Sequence, residues 1–174
     1  MRAYTEWADI DDARRTREFQ SYVKNIAEAR YVTRRVLRIV DDQAKGHGLE
    51  PLLHQALLQV YGANEGRGTT VGKLAGRLDV AAAFASRLVR RLEEMGLVHR
   101  EQSDNDRRAT NVIATEAGVA KLASIDGDVH HHVAFLQHQL TDDQRLSALS
   151  IFAFYVGIDP TSPIATAIRS ATKV

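Results

Sequence analysis

The strongest constraint on the fold lies between residues 70 and 114, where two short helical patterns nearly abut and lead straight into two short strand patterns. Thr70 is placed to cap a helix carrying Val71, Leu74, Ala75 and Leu78 at three- and four-residue steps. Asp79 follows at once, placed to cap the next helix by accepting backbone N–H bonds. That helix, residues 80–95, should bury Phe84, Leu88, Val89 and Leu92, carry Ser86, Arg87, Arg90 and Arg91 on the opposite face, and stop at Gly96. Two strands are expected at 97–102 and 109–114, joined by the polar loop Ser103, Asp104, Asn105, Asp106, Arg107, Arg108. Two nearly continuous helices make a helix-turn-helix, and a hairpin directly behind them makes a wing.

The flanks read as helices. Between residues 14 and 45, Phe19, Tyr22, Val23, Ile26, Val36, Leu37 and Val40 recur at helical steps, and Gly46 and Gly48 close the pattern. A second helix should bury Leu52, Leu53, Ala56, Leu57 and Val60, followed by an exposed glycine-rich connection over 62–68. A helix is predicted over 115–139, across Gly118 and Gly127. Thr141 and Gln144 form a capping box that opens a last helix reaching about residue 156, with Gly157 and Pro160 beyond it. Residues 146–158 are the most apolar late stretch but fall short of the ~20 residues a membrane-spanning helix needs, so they read as a buried helix.

Composition excludes several chemistries. With 44% apolar and 26% charged residues, the chain is ordinary for a soluble globular protein, and its 174 residues suffice for a real core. It has no cysteine, which rules out disulfides, thiolate zinc sites, iron–sulfur clusters and thiol nucleophiles, and fits a cytoplasmic setting. Glu6, Asp9, Asp11 and Asp12 near the start are incompatible with a secretory signal. The formal net charge of +1 leaves a polyanionic partner to be judged from where the cations sit.

Metal and catalytic readings are weak. His130, His131 and His132 are consecutive and diverge on a helix, and His138 adds a single partner for the face of His131. They read as solvated or interface histidines, and neither a metal nor a cofactor is expected. Serine, histidine and aspartate occur without a nucleophile motif or a phosphate-binding glycine loop, so the chain is not expected to be an enzyme. Glu93 and Glu94, adjacent on a helix, diverge, and Trp7 reads as a packing anchor.

The segment from residue 74 to 118 resembles the MarR family of transcriptional regulators. The resemblance is carried by Leu74, Ala75 and Leu78 in the first helix, then by Ser86, Arg87, Leu88, Val89, Arg91, Leu92 and Glu93 in the second. It continues through Gly96, Leu97, Val98 and Arg100, through Asp106, Arg107 and Arg108 at the wing, and through Thr115, Glu116, Ala117 and Gly118 after it. It implies a mainly α fold with a small β-hairpin wing: a winged helix-turn-helix over 49–116, between N-terminal (1–48) and C-terminal (117–174) dimerisation helices. It also implies a homodimer bound to a double-stranded DNA operator. The long apolar-faced helices at both chain ends agree with the dimer.

Physical chemistry assigns roles within that resemblance. A recognition helix fits the major groove, where arginine donates two parallel bonds to guanine, and Arg87 is the leading candidate for that contact. Ser86 suits a base edge or a phosphate, and Arg90 and Arg91, one turn on, suit phosphates. At the wing, Arg108 matches the family arginine that enters a minor groove, and Asp106 matches the aspartate that orients it. Arg107 adds charge at the same tip. The chain departs from many relatives in carrying Ala81, Ala82, Ala83, Phe84 and Ala85 where they have hydroxyl or other polar residues, which shifts specificity toward apolar contact, Arg87 and DNA shape.

The resemblance further implies repression relieved by a small-molecule effector, a small aromatic acid or its conjugate. Arg30, Arg34 and Arg38 lie at four-residue steps on the first helix, and His54 and Tyr61 on the second could add polar groups. A solvated basic face explains the same arginines equally well. A winged helix that binds a protein instead of DNA is the alternative reading, disfavoured by the arginines at the wing and on the second helix.

Overall fold

A computed structural model describes residues 19–63, 68–102 and 110–156. The elements in chain order are α1 (Phe19–Gly46), α2 (Pro51–Tyr61), β1 (Thr69–Thr70), α3 (Val71–Leu78), α4 (Ala82–Glu94), β2 (Val98–Gln102), β3 (Thr110–Ala114), α5 (Glu116–Gln139) and α6 (Asp142–Val156). The fold is mainly helical with one small antiparallel sheet, as expected. The chain divides into two compact units, Arg38–Ala134 and Met1–Leu37 with Phe135–Val174.

The unit Arg38–Ala134 closes a core of its own. Leu49, Leu57, Leu74, Leu92, Ile125, Val60, Val89, Val98 and Val112 are fully buried, drawn from helices and sheet alike. Each such side chain contributes roughly 1.5–3 kcal/mol relative to exposure. α1 ends where the Leu49 N–H reaches back to the Ala44 carbonyl (2.9 Å) and seats Leu49 in this core. Pro51 then starts α2, a position whose N–H no helix would use.

The sheet has three strands in the order β1-β3-β2, whereas the sequence shows only two. Gly68, the last residue of the expected exposed connection, is buried, as is Thr69 just after it, and Thr69 pairs with Val112 and Thr70 with Asn111. Two residues are too few to display alternation, and their partner lies some forty positions away. Gly68 is required: its φ is +79°, and a Cβ there would lie 2.1 Å from the Val112 carbonyl oxygen. Residues 64–67 of that connection lie outside the described residues.

Thr70 caps α3 as expected, its Oγ1 accepting from the Lys73 N–H at 3.3 Å. Asp79 does not cap α4. It adopts the left-handed conformation (φ 54°, ψ 48°) that ends α3, its own N–H bonding back into that helix, and Val80 N–H follows to the Ala75 carbonyl (3.0 Å). Aspartate is among the few residues that tolerate this conformation. The N-cap of α4 is Ala81, without a side-chain cap.

Behind the sheet, Thr115 Oγ1 donates to the Gly96 carbonyl (2.7 Å) and accepts from the Gly118 N–H (3.0 Å), locking the start of α5 to the end of α4. A Cβ at Gly118 would sit 2.2 Å from the Leu97 carbonyl oxygen, so only glycine permits this approach.

In the other unit the capping box forms as read: Thr141 N–H donates to Gln144 Oε1 (3.0 Å), and Gln144 N–H to Thr141 Oγ1 (3.2 Å). α6 is joined to α1 through Gln144 to Glu28 (3.1 Å) and Ser147 to Asn25 (3.0 Å). The expectation of a buried last helix fails. Ile151 is buried, but Leu146, Phe152 and Tyr155 are 52%, 60% and 64% exposed, because α6 turns apolar side chains to both sides. Residues 157–160, including Gly157 and Pro160, lie outside the described residues, as does Trp7. Among the described residues no helix is long and apolar enough to cross a membrane.

Candidate nucleic-acid interface

α3 and α4 meet at a turn of three residues, with Leu74, Ala75 and Leu78 of one and Ala85, Leu88, Val89 and Leu92 of the other turned into the core. Burying that face leaves Ser86, Arg87, Arg90 and Arg91 exposed on α4, the placement read from the sequence. The first turn of α4 holds no acidic residue, so its positive dipole end is not neutralised locally. Ala81, Ala82 and Ala83 are all exposed there.

The arginines differ in what holds them. The Arg87 guanidinium lies over the Phe84 ring, 5.0 Å from its centroid. Arg91 pairs with Glu94 at 3.3 Å, and Arg100 on β2 with Glu93 at 3.7 Å, both among exposed or half-exposed groups. Pairs of this kind are worth ~0–1 kcal/mol and yield readily to a phosphate. Arg77 Nε donates to Gln59 Oε1 (2.9 Å), tethering α3 to α2. Sequence reading missed the Phe84 shelf, the Arg77 tether and the Arg100 pair. The i, i+3 spacing of Phe84 and Arg87 was the signal available for the first; the other two join segments that only folding brings together.

The wing strands lie antiparallel from Val98 opposite Ala114 to Gln102 opposite Thr110. Asp106, Arg107 and Arg108 lie outside the described residues.

The residues considered for an effector are dispersed in character. Arg30 and Arg34 line a shallow groove on α1 with Val23, Ile26, Ala27 and Tyr31. Arg38 and Tyr61 are exposed. His54 is buried at 5% exposure in the core of the Arg38–Ala134 unit; desolvation lowers its pKa below 6.5, partly opposed by the Asp41 carboxylate. Its environment favours a neutral core imidazole over a contact for an anion.

Folding also lines up Ser124, His47 and Asp128: Ser124 Oγ lies 3.3 Å from His47 Nδ1, and His47 Nε2 2.8 Å from Asp128 Oδ2. Ser124 sits inside α5, where neighbouring backbone N–H groups are spent on the helix and cannot form an oxyanion hole. With Lys121 donating to the His47 carbonyl (3.1 Å), the cluster ties the α1–α2 turn to α5. His130, His131, His132 and His138 are exposed on α5, His132 Nδ1 bonding the Asp128 carbonyl (2.8 Å). Among the described residues no group of side chains has metal-ligand geometry.

Two packed helices with an outward arginine face, backed by a three-stranded sheet, define a winged helix-turn-helix. The sequence model of the MarR family matches residues 63–110, overlapping the segment whose motifs resemble that family. The fold is likewise that of MarR-family regulators. Wild-type MarR from E. coli in its apo form superimposes with a TM-score of 0.60 at 22% identity, covering 73% of this chain and 91% of that one. The S. aureus MepR–DNA complex gives 0.58 at 18% identity, covering 74% and 93%. CouR from Rhodococcus jostii RHA1, bound to p-coumaroyl-CoA, gives 0.57 at 22%, covering 71% and 85%. At these identities the likeness establishes the fold. A comparison with curated protein sequences finds no match.

Proposed function

We propose that this protein is a DNA-binding transcriptional regulator, acting as a homodimeric repressor on a palindromic operator. The observation that carries the reading is the exposed face of α4, where Ser86, Arg87, Arg90 and Arg91 stand together on the second helix of a helix-turn-helix. Arg87 reads a base edge, Ser86 bonds a base edge or a phosphate, Arg90 and Arg91 engage phosphates, and Arg108, steadied by Asp106 and assisted by Arg107, enters the minor groove. That S. aureus MepR, a protein of the same fold, was solved in complex with DNA supports a DNA-binding role.

Residues 1–48 and 117–174 supply the dimer contacts. Phe19, Val23, Phe135, Leu146 and Phe152, between 44% and 67% exposed in the single chain, support that assignment, since such apolar area favours association. An effector, a small aromatic acid or its conjugate, releases the operator. The groove beside Arg30 and Arg34 offers an apolar wall with two cations, and CouR's p-coumaroyl-CoA shows such a conjugate on this fold. Release requires the effector to prefer the state that does not bind DNA.

The test is equilibrium binding of the full chain to duplex DNA over a salt series. A regulator that neutralises several phosphates loses affinity steeply as salt rises. Binding that is absent, or indifferent to salt, would favour the protein-interaction alternative.

A further inference from the structure

Phe84 is not a free surface ring. It is half-buried and packs against the cluster that holds Leu78, Leu88 and Leu92, so its plane is set by the core. The Arg87 guanidinium rests 5.0 Å from the ring centroid, within the ~6 Å reach of a cation–π contact. No carboxylate competes for it among the described residues: Glu94 is engaged by Arg91 and Glu93 by Arg100, and the first turn of α4 carries no acid.

Stacking uses the π face of a guanidinium and leaves its N–H edges pointing outward, and those edges are the donors that guanine O6 and N7 accept in the major groove. An arginine free in solution must surrender much rotamer freedom to make that bidentate contact. One already laid on a core-anchored ring surrenders less. We propose that Phe84 is a positioning residue that presets the Arg87 guanidinium for a guanine and thereby sets base preference at one step of each half-site. This rests on α4 being the recognition helix. In a helix that opens with Ala82, Ala83, Phe84 and Ala85, an Arg87 preset by Phe84 supplies the selectivity that no polar side chain at that end provides.

The expected cost of losing the ring is about two- to tenfold in affinity for a guanine-bearing site, with little change on unrelated duplex. The experiment is selection from a pool of randomised DNA duplexes by full-length wild type, Phe84→Leu, Phe84→Tyr and Arg87→Ala, each checked by thermal melting. Wild type and Phe84→Tyr, which keep a ring, should enrich guanine at one position per half-site. Phe84→Leu should flatten preference there and nowhere else, and in an Arg87→Ala background should change nothing further. If Phe84→Leu melts below the assay temperature, Phe84→Met replaces it. An unaltered guanine preference without the ring would overturn the positioning role while leaving DNA recognition intact. An unaltered preference in Arg87→Ala would instead remove Arg87 from base reading, and the inference with it.

Discussion

The two units of this chain solve the same problem differently. Within Arg38–Ala134, Leu57, Val60, Leu74, Val89, Leu92 and Val112 from three helices and a sheet are driven to zero exposure, and even a histidine is taken inside. In Met1–Leu37 with Phe135–Val174, the buried apolar residues among those described are Ala29, Leu136 and Ile151, while Phe19, Phe135 and Phe152 remain 60% exposed or more. Apolar side chains at helical spacing can thus complete a core or lay down half of one, and the spacing alone does not distinguish the two. A self-sufficient unit suits a rigid recognition surface. A unit with open apolar faces suits assembly, which is why we propose a second copy as what covers it.

The contrast is open to direct attack. Leu57→Ala, in the closed core at 0% exposure, should cost about 2–5 kcal/mol and lower the melting temperature equally at all protein concentrations. If that loss vanishes at high concentration, the core is not complete within one chain. Phe152→Ser, at 60% exposure, should cost no more than ~0.5 kcal/mol as a surface change in a monomer. In a dimer it should lower the melting temperature more at high concentration and move sedimentation toward the monomer. Unchanged sedimentation would remove α6 from the assembly surface.

A smaller effect concerns the buried imidazole. Burial lowers the folded pKa of His54 below the 6.5 of the unfolded chain, so the unfolded state takes up the proton first as pH falls. The stability that neutral His54 contributes is therefore present above about 6.5 and is lost as pH falls from there toward the folded pKa. Melting curves of wild type against His54→Phe should diverge in that window; parallel curves would mean that His54 is not desolvated. Least of all, Glu94→Ala should change stability by ~0–1 kcal/mol, since it breaks only the exposed pair with Arg91. It should also strengthen DNA binding slightly if Arg91 faces phosphates, a shift that titration on a non-specific duplex would detect.

Local signals in the sequence carried the recognition module far. The Thr70 cap, the Thr141–Gln144 box, the break at Gly96 and the buried stripe of α4 each depend on neighbours within a turn, and each is found in the structure. What escaped depends on partners distant in sequence or on a backbone choice. Thr69 and Thr70 become a strand because β3 arrives beside them. Asp79 has the composition of an N-cap but adopts the left-handed geometry of a C-cap. The arginine face of α4 was legible because its buried side was; the ring beneath Arg87 lay on the border of that stripe and was counted only as core.

The central claim is that α4 reads DNA through Arg87. The most direct measurement compares wild type with Arg87→Ala on a duplex selected by the wild-type protein and on an unrelated duplex at one salt concentration. The substitution should cost ~1–3 kcal/mol on the selected duplex and far less on the unrelated one, so that discrimination collapses. Equal affinities for wild type and a folded Arg87→Ala on both duplexes would contradict it.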